Sequence, residues 1–170
     1  MSSIVVREAV IADAPEVLRL FTLLGHAQPE GDATTRLAAF FEAGDRVLVA
    51  SNRVAAPGAA LTGAVTLHIT PEIHRAGPIG RMTALAVDEN ARGQGIGRAL
   101  VAAAEKEFAA RGCAMVEVTS NKKRTRAHSF YEQLGYEGTS FRFAKMLEST
   151  ERQAGRAAAD SIDLGRRGER

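Results

Sequence analysis

The stretch Val87-Asp-Glu-Asn-Ala-Arg92-Gly-Gln-Gly95-Ile-Gly97-Arg-Ala-Leu100 determines the fold class of this chain. The apolar run that ends at Val87 is typical of a buried strand, and a helix-forming stretch begins after the glycines. Glycine lets the main chain approach a ligand closely, and a helix N-terminus offers unpaired N–H groups and a positive dipole end. The stretch therefore predicts a strand–turn–helix unit that binds a phosphate or pyrophosphate.

Glycine patterns of this kind occur in several types of phosphate site. A P-loop requires Gly-x-x-x-x-Gly-Lys-Ser/Thr, which does not occur in the sequence. The dinucleotide fingerprint Gly-x-Gly-x-x-Gly begins with Gly93 and Gly95, but Arg98 stands at its third glycine. Glu117 falls near the place of that motif's ribose-binding acid, so this interpretation is weakened and stays open. Glycines that only allow tight helix packing are another alternative.

Two further patterns carry a family resemblance. The first is Arg-x-x-Gly-x-Gly, formed by Arg92, Gly95 and Gly97. The second is Ala-x-x-x-Tyr-x-x-x-Gly-Phe/Tyr, matched by Ala127, Tyr131, Gly135 and Tyr136. Together, in this order, they resemble the GNAT superfamily of N-acetyltransferases, over residues 4–147.

The resemblance implies a single-domain α/β (α+β) fold over residues 1–147. Its mixed central sheet has helices on both faces, and two parallel strands, here 81–87 and 114–119, splay apart. It also implies acetyl-CoA (coenzyme A) as cosubstrate, with the pantetheine arm in the splay. The expected cofactor-binding residues are Leu85, Ala86, Val87, Arg92, Gly93, Gln94, Gly95, Ile96, Gly97, Arg98, Asn121, Arg124 and Ala127. Many members carry an asparagine where this chain has Arg124, so Asn121 is a candidate contact only.

Acetyl transfer needs a proton donor for the leaving thiolate and a base for the amine. By resemblance Tyr131 is the general acid, with packing against the sheet as its alternative role. The strand before the glycine turn lacks the glutamate that many relatives use as base. Glu117 is ranked first as a possible base and His68 second, and deprotonation through a water chain is a third route. Thr83 is a position that could hold such a water.

Composition limits the remaining classes. With 170 residues, 45% hydrophobic and 25% charged, the chain suits one soluble domain. A lone cysteine, Cys113, and the lack of a signal peptide or long apolar run indicate a cytoplasmic protein that does not contact a membrane. The net charge of +2 and the lack of aromatic-interleaved basic stretches speak against nucleic acid. No Cys/His set has zinc spacing, so no metal is expected.

The pattern of apolar residues and turn signals predicts alternating elements. Asp13 is expected to cap the first helix in a capping box with Glu16. The predicted strands are 4–7, 46–51, 61–70, 81–87, 114–119 and 140–147, and the predicted helices are 13–24, 34–43, 95–111 and 125–134. Residues 148–170 are predicted to be a charged, frayed or disordered tail.

Together these expectations predict an N-acetyltransferase. It would move the acetyl group of acetyl-CoA directly to a primary amine of a small molecule or protein, in a ternary complex. The acceptor site is expected between the first two helices and the loop around His74. The acidic residues Glu30 and Asp32 of this region either attract a cationic amine or belong to a solvent-exposed loop with no role in binding. The alternatives are a non-catalytic acyl-CoA-binding module and a nucleotide-binding redox domain. A homodimer is possible, since many relatives form dimers.

Overall fold

A computed structural model describes residues 4–25, 31–52, 56–145 and 147. Short 3-10 turns occur at Ile11–Asp13 and Glu89–Ala91. The helices and strands of these residues, in chain order, are β1 Val5–Glu8, α1 Ala14–Thr22, α2 Ala33–Glu42, β2 Arg46–Ser51, β3 Gly63–Thr70, β4 Ile79–Val87, α3 Ile96–Ala110, β5 Met115–Val118 and α4 Thr125–Glu132.

The five strands form one mixed sheet in the order β1-β2-β3-β4-β5. Neighbouring strands from β1 to β4 pair antiparallel, and β5 pairs parallel with β4. The chain crosses from β4 to β5 through α3, as parallel pairing requires a long connection. The predicted mixed sheet is confirmed, and β4 begins two residues earlier than predicted.

Helices cover both faces of the sheet, because side chains of each strand alternate between two apolar cores. One core lies under α1 and α2 and includes Leu20, Leu37, Val47, Val49 and Ala64. The other lies under α3 and includes Val65, Leu67, Met82, Leu100 and Phe108. Gly80 allows the close approach of α3, since a Cβ atom there would overlap the Phe108 ring. The predicted placement of helices on both faces is confirmed.

A β-bulge interrupts the pairing of β3 with β4. Val65 lies opposite Leu85 and Leu67 lies opposite Met82, so Thr83 and Ala84 together face the single residue between them on β3, Thr66. The Thr66 hydroxyl accepts a hydrogen bond from the Ala84 N–H at 2.9 Å. Bulges of this kind redirect side chains, and they occur frequently beside active sites.

The start of α1 differs from the predicted capping box. Asp13 occupies the N-cap position, but its side chain makes no cap hydrogen bond. Its fully buried carboxylate instead binds the Arg7 guanidinium at 2.6 and 2.9 Å and accepts the N–H groups of Val10 and Gly58. Glu16 binds Arg19 and the Leu61 N–H. These other partners satisfy both carboxylates, so the predicted cap does not form.

Asp13→Asn is expected to destabilise the fold. Burial alone would raise the Asp13 pKa, but the hydrogen bonds from Arg7, Val10 and Gly58 outweigh burial and lower the pKa from 3.8 to about 2. The carboxylate therefore stabilises the native state by about 2 kcal/mol above pH 4, and this contribution is lost as the pH falls towards 2. Thermal unfolding should show a Tm about 5 °C lower at pH 7.

The matched control is Glu8→Gln. Glu8 is a half-exposed neighbour of Arg7 that pairs with Arg46 at 2.9 Å, and exposed pairs contribute less than about 1 kcal/mol. The stability difference between wild type and Asp13→Asn should shrink between pH 4 and pH 2. An equal stability difference at both pH values would contradict the lowered pKa of Asp13.

The described residues after Glu137 form no helix or strand. The predicted strand 140–147 is therefore wrong for residues 140–145 and 147. Phe141 and Phe143 have the alternation of a strand, but both are exposed, and a strand needs a hydrogen-bonding partner as well as a pattern. The predicted tail 148–170 lies outside the described residues.

Candidate functional site

The pairing between β4 and β5 ends before β4 does. The last pair is Met82 with Val118, whereas β4 continues to Val87. On its other side, β4 stays paired with β3 up to Val87. Residues 83–87 therefore have one strand edge without a β partner in the described sheet, and this open edge leads directly into the glycine turn.

The glycine turn positions the first turn of α3. Gly93 and Gly95 have φ values of +77° and +85°, a region that side-chain-bearing residues rarely adopt. Gly95 is the N-cap of α3 and supplies no side-chain cap, and the helical hydrogen bonds begin with Ala99 N–H to the Gly95 carbonyl at 3.0 Å. The N–H groups of residues 96–98 thus have no helical acceptor. A Cβ atom at Gly93 would meet nothing within 4 Å, so the main chain is accessible.

Two arginines flank this turn. Arg92 is exposed and lies 3.2 Å from the Glu89 carboxylate, and the Gln94 side chain donates to the Asn90 carbonyl at 3.2 Å. The Arg98 side chain is exposed and forms no ion pair or hydrogen bond with another described residue. Ile96 and Ala86 are buried in the cores, so only their main-chain groups can serve a ligand. The turn combines N–H donors with positive charge, which suits a diphosphate.

Helix α4 lies beside this turn. A Cβ atom on Gly97 would be 3.3 Å from the Phe130 ring. The Tyr131 ring stacks edge-on with Phe130 and Tyr136, at centroid distances of 5.2 and 5.7 Å. The Tyr136 hydroxyl donates to Glu105 at 2.8 Å, whereas the Tyr131 hydroxyl has no hydrogen-bond partner in the described ranges. Burial raises the Tyr131 pKa to about 12, against a smaller opposite effect of Arg124.

The other predicted cofactor contacts of this region serve the local structure. The Asn121 side chain accepts the Lys123 N–H at 2.9 Å, and its carbonyl accepts the His128 ring N–H at 3.0 Å. Arg124 is the residue before α4, and its guanidinium donates to the Leu24 carbonyl after α1. Ala127 is half-buried on α4. Roles for Asn121, Arg124 and Ala127 in cofactor binding stay predictions.

The carboxylate of Glu117, the first-ranked base, is bound by a side chain of the neighbouring strand β4. Glu117 lies opposite Arg81 in the β4–β5 register, and the guanidinium forms an ion pair and a hydrogen bond with its carboxylate. His68 lies opposite the same Arg81 on β3, but its ring reaches Thr83, the first residue of the open edge. The geometry therefore favours the second-ranked base, His68.

His68 is the centre of a hydrogen-bond chain that ends at the bulge. Its Nδ1 lies 2.8 Å from the Asp45 carboxylate, and its Nε2 lies 2.8 Å from the Thr83 hydroxyl. The Thr83 hydroxyl is 2.9 Å from that of Thr66. An ionised Asp45 can only accept a hydrogen bond, so Nδ1 donates to it, and in the neutral tautomer that this contact selects, Nε2 is the acceptor. Thr83 then donates to His68, and Thr66 donates to Thr83.

Asp45 and Thr66 were not predicted as site residues. Thr66 and His68 are two residues apart on β3, which places them on one face of the strand. That alternation is a sequence signal for Thr66. Asp45 precedes β2, and its contact with His68 depends on the β2–β3 register, in which Arg46 lies opposite Leu67.

A cavity of about 410 Å³ adjoins this chain, between helices α1 and α2 and strands β2 and β3. Its lining is apolar apart from Arg36 and Thr66. The lining residues are Ala14, Val17, Leu18, Phe21, Ala33, Arg36, Leu37, Ala39, Phe40, Val47 and Thr66. The cavity lies in the region where the acceptor site was predicted.

The acidic groups predicted for that region are used elsewhere or not described. Asp32 caps α2, accepting the Thr35 N–H at 3.0 Å, and this hydrogen bond lowers its pKa. His74 is exposed and lies 3.2 Å from Glu72. Glu30 lies outside the described residues. Among described side chains, no group of three or more His, Cys, Asp or Glu is arranged to hold a metal ion.

The family model for the acetyltransferase (GNAT) family matches residues 17–136. The chain belongs to this family. That range includes the open edge of β4, the glycine turn and Tyr131, so the GNAT fold predicted from the two motifs is confirmed. Among the described helices, none has the length and apolar character needed to cross a bilayer.

Individual relatives agree with the GNAT assignment. An aminoalkylphosphonate N-acetyltransferase of Salmonella typhimurium is 39% identical over 95 residues, which are 56% of this chain and 62% of the relative. The matched region thus spans less than two thirds of that protein. The crystal structure of a Trypanosoma brucei acetyltransferase superposes with a TM-score of 0.72 and 25% identity, covering 85% of this chain and all of the other.

A third relative shows the same GNAT fold with less sequence similarity. An aminoglycoside acetyltransferase from an uncultured soil metagenomic sample has a TM-score of 0.73 and 22% identity over 85% of this chain and 97% of its own. At this identity the likeness concerns the fold alone.

Proposed function

We propose that this chain transfers the acetyl group of acetyl-CoA to a primary amine, directly in a ternary complex. The observation that best supports this activity is the continuity of three features: the open edge of residues 83–87, the glycine turn and the N-terminus of α3. The family implies acetyl-CoA as cosubstrate. When bound, it supplies the acyl group and a thiol leaving group.

The residues of the turn fit a coenzyme A diphosphate. The N–H groups from Gly93 to Arg98, the side chains of Arg92 and Arg98 and the dipole of α3 form the anion site. Main-chain groups of Leu85, Ala86 and Val87 on the open edge hold the pantetheine arm and the thioester carbonyl oxygen, which gains negative charge during transfer.

His68 is the general base in this proposal, and Thr83 is its link to the amine. The amine nitrogen gives its proton to the Thr83 hydroxyl as the Thr83 proton moves to Nε2 of His68, 2.8 Å away. Asp45, 2.8 Å from Nδ1, orients the ring and stabilises the imidazolium that forms. Asp45 is thus a positioning residue, and Glu117 is the second candidate base.

Tyr131 is the proposed proton donor to the leaving thiolate. A pKa of about 12 keeps its hydroxyl protonated at neutral pH, so a proton is available throughout the working range. Tyr131→Phe is expected to lower kcat roughly 100-fold and to leave acetyl-CoA affinity nearly unchanged. Steady-state thiol release and calorimetric titration would measure the two quantities.

The control for this prediction is Tyr136→Phe. Tyr136 stacks against Tyr131 and donates to Glu105, so its loss should reduce stability by about 1 kcal/mol and leave kcat within threefold. Full activity of Tyr131→Phe would make Tyr131 a packing residue.

A direct test of the proposed activity combines binding and turnover. Acetyl-CoA should raise the Tm, because a ligand that binds the native state alone must stabilise it. Thiol release should then appear with members of an amine panel. An aminoalkylphosphonate belongs in the panel because of the Salmonella relative's name, and an aminoglycoside because of the metagenomic one's. Binding without turnover on any amine would favour the non-catalytic alternative, and NAD in place of coenzyme A would favour the redox alternative.

A further inference from the structure

The apolar cavity between α1 and α2 adjoins the proposed base. Phe40 lines the cavity, and its ring lies edge-on to the His68 imidazole with a centroid distance of 5.0 Å. Thr66 lines it too, 2.9 Å from the Thr83 hydroxyl. A molecule in the cavity therefore has one end at the hydrogen-bond chain of Thr66, Thr83 and His68.

From this placement we infer that the cavity binds the apolar body of the acceptor, and that the acceptor class is a monoamine with an alkyl or aryl chain. The inference rests on the proposed acetyltransferase function, because it takes Thr83 and His68 as the place of the reacting nitrogen. The amine lies with its nitrogen at these two residues and its carbon chain between Val17, Leu37 and Phe40.

The charges around the cavity argue against a polycation. Its described lining contains one charged residue, Arg36, and no carboxylate. Asp32 is engaged in the cap of α2, and Asp45 is engaged by His68. A polyamine or an aminoglycoside would keep several ammonium groups beside apolar side chains without compensation, which is costly. A monoamine has a single nitrogen, placed where the base lies.

The apolar lining also favours the reactive form of a monoamine. Attack on a thioester requires a neutral nitrogen, and apolar surroundings disfavour an ammonium relative to the neutral amine. The volume of about 410 Å³ lies in the range of about 300–1,000 Å³ that is typical of small-molecule sites. A chain of several carbon atoms fits this space.

A series of n-alkylamines from propylamine to octylamine tests the inference. All have nearly the same basicity, so differences between them report burial of the chain. Each buried methylene should lower Kd about three- to fourfold, up to a length at which the cavity is full. Kd is measured by calorimetry for the free protein and for the protein saturated with coenzyme A, which needs no turnover. Acetylation of the same amines gives kcat/KM as a second readout.

Spermidine and 2-aminoethylphosphonate serve as polycationic and anionic comparators. Both are expected to bind at least tenfold more weakly than hexylamine, because neither buries an apolar chain of that length. A Kd that does not change with chain length, or a comparator that binds more tightly than hexylamine, would overturn the inference.

A variant pair on α2 locates the binding. Ala33 is half-buried and lines the cavity, whereas Ala43 is exposed at the other end of α2 and does not line it, and leucine has nearly the helix propensity of alanine. Ala33→Leu should weaken hexylamine binding at least fivefold and shorten the optimal chain, whereas Ala43→Leu should leave both unchanged. Equal effects of the two variants would place the amine elsewhere.

The two proposals fail in different ways. If chain-length dependence appears but coenzyme A does not bind, the cavity assignment stands and the acetyltransferase function fails. If coenzyme A binds and other amines are acetylated without chain-length dependence, the function stands and the acceptor class is wrong.

Discussion

Gly95→Glu is expected to abolish the thermal stabilisation that acetyl-CoA gives to the wild-type protein. At 100 times its Kd, a ligand of the native state adds about 2.7 kcal/mol, which corresponds to a Tm rise of roughly 5–10 °C for a chain of this size. The glutamate places a side chain and a negative charge at the N-cap of α3, where the proposed diphosphate meets the N–H groups. The variant should show no shift at the same concentration, measured by differential scanning fluorimetry.

The control must share the backbone strain of this substitution, since Gly95 has a φ of +85°. Gly112→Glu meets that need. Gly112 follows the other end of α3 with a φ of +72°, and a Cβ atom there meets nothing within 4 Å. It should also lower the basal Tm, because it shares the positive φ, and it should keep the acetyl-CoA shift. A shift that persists in Gly95→Glu would place the diphosphate away from the turn.

His68→Gln is expected to reduce kcat by a factor of 10² to 10⁴. Glutamine keeps a polar group near Thr83 but cannot accept and hold a proton at neutral pH. The loss should be smaller near the alkaline end of the pH range, where more of the amine is already neutral. Acetyl-CoA affinity should stay within about threefold, because His68 lies on β3 and the proposed diphosphate site is at the N-terminus of α3.

Two further variants separate the candidate bases. Asp45→Asn keeps the His68 ring but removes the carboxylate that orients it, so kcat should fall less than in His68→Gln. Glu117→Gln should leave kcat within about threefold, since Glu117 pairs with Arg81. A large loss in Glu117→Gln with an active His68→Gln would reverse the assignment. Thermal unfolding of each variant checks that the fold is retained.

Local patterns predicted most of the fold. Strand β2 has the predicted bounds, and α3 agrees within a residue at each end. In both cases the signals are short-range: an apolar run for β2, and glycine punctuation with a helical apolar face for α3. The open edge of β4 follows the family resemblance, because which strands splay cannot be seen from periodicity.

Contacts between residues on different elements could not be predicted from the sequence. The pairing of Asp13 with Arg7, of Glu117 with Arg81 and of Asp45 with His68 each joins residues on different elements. A single sequence shows which residue types exist, but it does not show which strand positions face each other. For the same reason residues 140–147 showed a strand alternation that no hydrogen-bond ladder supports in the described part.

The extra residue in β4 reverses the phase of that strand's side chains. Before it, Met82 belongs to the core under α3; after it, Ala86 joins the core under α1 and α2, while Leu85 and Val87 pack against the α3 side. If the side chains of β4 alternated without a break after Met82, Ala86 would face the core under α3, and Leu85 and Val87 would face the core under α1 and α2. Deleting either Thr83 or Ala84 would remove the bulge and leave Leu85, Ala86 and Val87 on their present faces, because the remaining residue would pair with Thr66 alone. Straightening the strand with both residues in place would instead move the branched side chains out of one core and a methyl into the other. The bulge thus accommodates one extra residue and keeps each flanking side chain of β4 in its own half of the molecule.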